Sequence, residues 1–123
     1  MITLPSSVRV AAFDVTIEDW KPIAAHASEK FGEFSALEML IRVDSSVNQM
    51  KVLDTLIHEI NHAIYWAYGI EDEDKEERIV GTIATAWAQI YRDNPDLLRF
   101  IGEVCNHTSK SMTFAETLEK MGA

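Results

Sequence analysis

Val47-Asn48-Gln49-Met50-Lys51-Val52-Leu53-Asp54-Thr55-Leu56-Ile57-His58-Glu59-Ile60-Asn61-His62-Ala63-Ile64-Tyr65-Trp66-Ala67-Tyr68-Gly69 is the stretch on which the fold turns. Met50, Leu53, Ile57, Ile60, Ile64 and Ala67 recur at steps of three and four, the period of a buried helical stripe. Asp44, Ser45 or Ser46 can cap its start and Gly69 is a natural stop, so the spacing predicts a helix over about residues 47–68. His58 and His62, four apart, then share one face and can aim two imidazoles at a single ion. They border the apolar stripe, which places them in the interior half of the helix. Glu59 sits about 100° further round, where a carboxylate can reach a water held on the ion without occupying a coordination position. Zinc lowers the pKa of such a water towards about 7. The H-E-x-x-H spacing therefore suits metal-assisted hydrolysis. The competing arrangement is two satisfied core histidines with an exposed Glu59, which does not require the three residues to occur together.

A catalytic zinc usually has three protein ligands and one open position. The following stretch supplies candidates for the third. It opens with the acidic run Glu71-Asp72-Glu73-Asp74-Lys75-Glu76-Glu77 and continues as a helix to Tyr91, with Val80, Ile83, Ala84, Trp87 and Tyr91 expected inward. Glu77 precedes Val80 by three and Ala84 by seven and is the first choice. Glu76, four before Val80, is the alternative, and Glu73 lies further from the hydrophobic body. Most of the run also reads as an acidic helix start that complements the macrodipole.

Leu56-Ile57-His58-Glu59-Ile60-Asn61-His62-Ala63-Ile64, then Glu76-Glu77-Arg78-Ile79-Val80, then Arg92-Asp93-Asn94-Pro95-Asp96-Leu97-Leu98 resembles the small glutamate-zincins. These are the ImmA/IrrE-type and SprT-like metallopeptidases and their short phage- or prophage-encoded relatives. The likeness spans roughly residues 33–100. It implies an α+β, minimal zincin-like fold, with a small sheet packed on the H-E-x-x-H helix and a glutamate-bearing helix. It also implies Zn2+ on His58, His62 and Glu77, with Glu59 as general base and a peptide or protein as substrate. In such enzymes the strand leading into the active-site helix holds an extended peptide by edge pairing. The chain departs from the pattern in one respect: no His or Tyr stands in a fixed position as the additional electrophile.

The 123 residues suit one domain with a modest core, and 47% hydrophobic with 25% charged residues is an ordinary globular composition. A net charge of −9 and a pI near 4.8 argue against a nucleic-acid partner, since phosphate contacts need clustered Lys and Arg. The same charge weakens any DNA-linked role carried over from SprT-like relatives. Cys105 is the one cysteine, which leaves no internal disulfide and fits a reducing cytoplasm. It is expected as a small buried apolar side chain. Residues 1–7 have neither the basic start nor the apolar core of a signal peptide, and no run of about 18 apolar residues is present to span a membrane.

In chain order, Val8 to Ile17 reads as a first strand. Asp19 is expected to cap a short helix through Ile23, Ala24, Ala27 and Phe31 that stops at Gly32. His26 falls within it and has no partner at ligand spacing. Glu33 to Asp44 reads as one or two strands, with Leu37, Met39, Ile41 and Val43 on one face. Pro95 is expected to break the third helix and begin a fourth, capped by Asn94. Residues 105–123 form a tail whose Phe114, Leu118 and Met121 follow a helical period behind Thr113 as a cap. His107 is expected in a loop, facing solvent or serving as the missing electrophile. Asp54, one turn before His58, is a candidate for orienting that imidazole.

Overall fold

Val8, Val10, Val15 and Ile17 are buried while Arg9, Asp14 and Thr16 are exposed, the alternation of a sheet with one face in the core. The computed structural model describes residues 2–109, with side chains through Asn106. In it these residues form a hairpin of β1 (Ser7–Val10) and β2 (Phe13–Asp19), where a single strand was expected. The turn is made at Ala11, whose φ of 55° is left-handed. No glycine, proline or asparagine marks it, so no residue there signals a break.

Helix α1 (Pro22–Ser28) starts on its proline and ends where Glu29 turns left-handed at φ 59°. Asp19 does not cap it; that carboxylate ends β2 and accepts from the Ser45 amide at 3.1 Å. Gly32, expected to stop α1, instead begins β3 (Gly32–Ser35), which turns back into β4 (Leu40–Val43). Leu37 lies in that turn and is 96% exposed, while Ile41 and Val43 are buried as expected. The sheet order is β1-β2-β4-β3, with β2 and β4 parallel and both outer pairs antiparallel.

Helix α2 (Gln49–Tyr68) begins at Asn48, whose side chain accepts from the Met50 amide, and ends at left-handed Gly69. Asn48 thus takes the capping role expected of Asp44, Ser45 or Ser46. Leu56, Ile60 and Ile64 of α2 are completely buried against Val8, Val10, Ile41 and Val43 of the sheet, each contributing about 1.5–3 kcal/mol of burial. Helices α3 (Glu76–Asp93) and α4 (Pro95–Ser109) complete the core with Ala86, Ile90, Leu97, Phe100 and Val104.

The buried line of α3 is Ile79, Ile83, Ala86 and Ile90. Ile83 and Trp87 of the expected face pack on the core, but Ala84 is exposed and Val80 and Tyr91 are 58% and 45% exposed, so Ile79, Ala86 and Ile90 take their place. Asn94 does not serve α4 with its side chain; its amide crosses to Arg9 of β1. Cys105 is exposed on α4, contrary to the buried position expected for it. His107 belongs to the α4 backbone, not a loop. Thr113, Phe114, Leu118 and Met121 lie outside the described residues. None of the described helices is long and apolar enough to cross a membrane.

Candidate metal centre

A helical step of four places His58 and His62 one above the other on α2, and both side chains are exposed. Their Nε2 atoms approach to 3.2 Å, with ring planes inclined at 71°. Two nitrogens bound to one tetrahedral zinc at about 2.05 Å would stand roughly 3.3 Å apart. The pair thus has the separation that one ion requires, and one N–H can bridge the rings in the ion's absence.

Glu59 has the opposite environment. It is only 7% exposed, at the point where β3 passes closest to α2. A Cβ added at Gly32 would come within 2.6 Å of Thr55 Cγ2, 2.9 Å of the Arg42 carbonyl oxygen and 3.4 Å of Glu59 Cγ. The missing side chain at Gly32 is what lets the strand lie this close. Burial pushes the Glu59 carboxyl above its ordinary range, while the two imidazoles pull it down. The alternative of core histidines with an exposed glutamate is therefore reversed: the histidines face outward and the carboxylate lies beneath β3.

His58, Glu59 and His62 sit midway along an open cleft of about 780 Å3 between α2 and β3. Along it the strand and the helix run in the same sense. Phe31 meets Lys51, Gly32 meets Thr55 and Glu59, and Phe34 meets Trp66. Tyr65 also lines the cleft, one turn beyond His62. Its spacing, three after the second histidine, was the sequence signal for a hydroxyl on this face and was overlooked. Glu33 is a second overlooked carboxylate of the cleft, held by Arg42 Nη1 at 2.8 Å.

Glu77 and Glu76 are both exposed on the first turn of α3, and neither lines the cleft. Among the described residues no three His, Cys, Asp or Glu side chains form a metal-binding group. The geometry explains the separation. The α3 residue that meets the histidine turn is Trp87, whose Nε1 donates to Asn61 Oδ1 at 3.0 Å. Ten residues of helix, about 15 Å, lie between it and Glu77. Asp54 lines the cleft but is ion-paired with Lys51 at 3.7 Å. His26 is exposed on α1, remote in sequence from the pair.

Fold and site together define an α+β protein whose histidine pair and buried carboxylate share one cleft. No protein-family model, curated protein or solved structure matches the chain.

Proposed function

We propose that this protein is a zinc-dependent metallopeptidase of the glutamate-zincin type, acting on a peptide or protein in the cytoplasm. The observation that carries the proposal is the 3.2 Å approach of two exposed imidazole nitrogens beside a buried carboxylate in an open cleft. The donor chemistry suits zinc, which accepts neutral imidazole nitrogens in a tetrahedral array. Zinc held by His58 and His62 supplies Lewis acidity, polarising a carbonyl and acidifying water.

The chain's own residues do the rest. Glu59 accepts the proton of the attacking water and later passes it to the leaving amine. Burial suits it to that task, because a raised carboxyl holds a transferred proton more readily. Tyr65 is the neutral hydroxyl donor on the same face, available to the carbonyl oxygen as charge develops there. Glu77 or Glu76 is proposed as the third ligand, with no preference left between them; either requires the first turn of α3 to close on the histidines.

Metal content measured by mass spectrometry, on protein purified without added zinc or a histidine tag, tests this directly. About one zinc per chain is expected, lost in the His58→Ala/His62→Ala variant. Glu59→Gln should keep the zinc and lose turnover by about 10²–10⁴-fold. No zinc after incubation with the ion, or normal cleavage by Glu59→Gln, would sink the proposal.

A second reading has its own support in the absence of a third donor beside the pair among the described residues. In it the chain is a zinc-binding regulatory or interaction module without hydrolysis. Retained zinc with no Glu59-dependent cleavage across a broad peptide library would favour that reading.

A further inference from the structure

The cleft has two chemically different ends. At one, Trp66 is 43% exposed and packs 4.7 Å from Phe13 and 6.2 Å from Phe34 between ring centroids. This is an aromatic shelf open to the cleft. At the other end stand Lys30 and Lys51, with Lys51 Nζ 4.9 Å above the Phe31 ring. Among the described residues Lys30 makes no ion pair. Lys51 has only an exposed contact of 3.7 Å to Asp54, a pair of the kind worth little in water. Asp54 stands beside Lys51 at this end and Glu59 lies within the field of Lys30, so the two lysines are the cations of a cleft whose other charges, Glu33, Asp54 and Glu59, are acidic.

The wall between these ends is an edge strand with hydrogen-bonding groups to offer. The Asp44 amide donates to the Phe31 carbonyl at 2.8 Å, which sets the phase of the β3–β4 ladder. Gly32 pairs with Val43 and Phe34 with Ile41. By the alternation of antiparallel ladders these are non-bonded pairs, so Gly32 and Phe34 turn N–H and C=O away from β4. An added strand gains most by pairing antiparallel. Because the chain runs along the cleft from Phe31, by the lysines, to Phe34 of β3, by the shelf, such a strand would place its N-terminal half on the aromatic shelf and its C-terminal half by the lysines.

We infer that the cleft selects an extended peptide carrying a bulky apolar side chain in its N-terminal half and acidic groups in its C-terminal half. The inference rests on the peptidase reading for its substrate class, but the selection is made by residues outside the histidine pair. Aromatic burial on the shelf gives affinity; the lysines give polarity and reject basic sequences.

The test is fluorescence anisotropy with the folded Glu59→Gln chain and three labelled octapeptides. One has two phenylalanines in its N-terminal half and two glutamates in its C-terminal half. The second has the reverse order, and the third has lysines for the glutamates. The first should bind about ten times more tightly than the others. Lys30→Glu combined with Lys51→Glu should remove the preference for glutamate over lysine. Trp66→Ala should weaken the first and third by about tenfold and the second little, with Trp66→Phe retaining most of the affinity. Equal binding of the three peptides, or no binding by protein whose circular dichroism is native, overturns the inference. Zinc measured on the same samples separates the two failures. Zinc without selectivity sinks only this substrate class; selectivity without zinc sinks the peptidase reading and leaves a peptide-binding cleft.

Discussion

At the β1 edge of the sheet, the outward N–H of Arg9 donates to Asn94 Oδ1 at 2.7 Å, and its carbonyl accepts from Asn94 Nδ2 and Gln89 Nε2, both at 3.0 Å. The Ala11 amide donates to Gln89 Oε1 at 2.8 Å. At the β3 edge, the outward groups of Gly32 and Phe34 border the cleft that holds His58, Glu59 and His62. Two carboxamides, Gln89 of α3 and Asn94 just past its end, thus take the place of a neighbouring strand at one edge, and the other is left available. An unpaired edge invites pairing with another chain. Here the invitation is confined to four residues beside the reactive groups, and the opposite edge is closed. Substitutions at the β1 edge should therefore cost stability, and those at the β3 edge should cost binding and chemistry first.

Asn94→Ala gives the largest expected loss of stability. Asn94 is 8% exposed and also donates to the Ile90 carbonyl at 2.8 Å, so its removal orphans groups on both β1 and α3. Each such group costs about 1–3 kcal/mol when left unpaired, and a total near 3 kcal/mol is expected from denaturant midpoints. Zinc content of the surviving folded fraction should be unchanged. A loss below about 1 kcal/mol would mean that the β1 edge does not depend on this strap.

Gly32→Ala probes the open edge and should act in the other sense. Its Cβ would press on Thr55 Cγ2 and the Arg42 carbonyl, an overpacking cost of about 1–3 kcal/mol. The strain is relieved by moving β3 away from α2, which uncovers Glu59. Turnover should therefore fall by more than the stability change explains. Gly32→Ala with Thr55→Ser, which removes Cγ2, should recover part of both losses but leave the carbonyl contact. Wild-type turnover in the single variant would show that strand and carboxylate are not coupled.

Most of α2 was legible because two local signals agreed, a sustained apolar period and a stopping glycine, while the cap was sought at Asp44 to Ser46 and lies at Asn48. The α+β class, with a small sheet on this helix, was implied by the resemblance that the α2 motif carries, and the alternation in the strands agreed with it. The inward face of α3 was not legible. Ile79, Ile83, Ala86 and Ile90 form one apolar line, and the expected Val80, Ile83, Ala84, Trp87 and Tyr91 form another that overlaps it, of which only Ile83 and Trp87 pack on the core. Only packing against β1 and α2 selects between two such lines. That selection also removes the reason for preferring Glu77, since Glu76 stands three before Ile79 and seven before Ile83 on the buried line. Gly32 was misread for a similar reason. A glycine after a helical pattern resembles a stop, whereas its use here is a close approach between elements distant in sequence.

The smallest expected effect concerns acid. Asp93 accepts from Arg92 Nε at 2.8 Å and from Gln89 Nε2 at 3.2 Å, and these bonds lower its carboxyl to about 2. Gln89 is the same side chain that bonds Arg9 and Ala11, so Asp93 helps to orient half of the β1 strap. A carboxyl lowered in the folded state contributes stability that is fully present above its unfolded value near 4. That contribution is lost as pH falls through the interval down to about 2. Exposure makes it small. Asp93→Asn should therefore be slightly less stable than wild type at pH 6, with the difference shrinking below pH 4 and lost only as pH falls through about 2. Arg92→Ala should abolish most of that pH dependence and Gln89→Ala a smaller part of it. A constant difference across the range would show that neither Arg92 nor Gln89 holds the Asp93 carboxylate in the folded protein, leaving Asn94 as the acid-independent closure of the β1 edge.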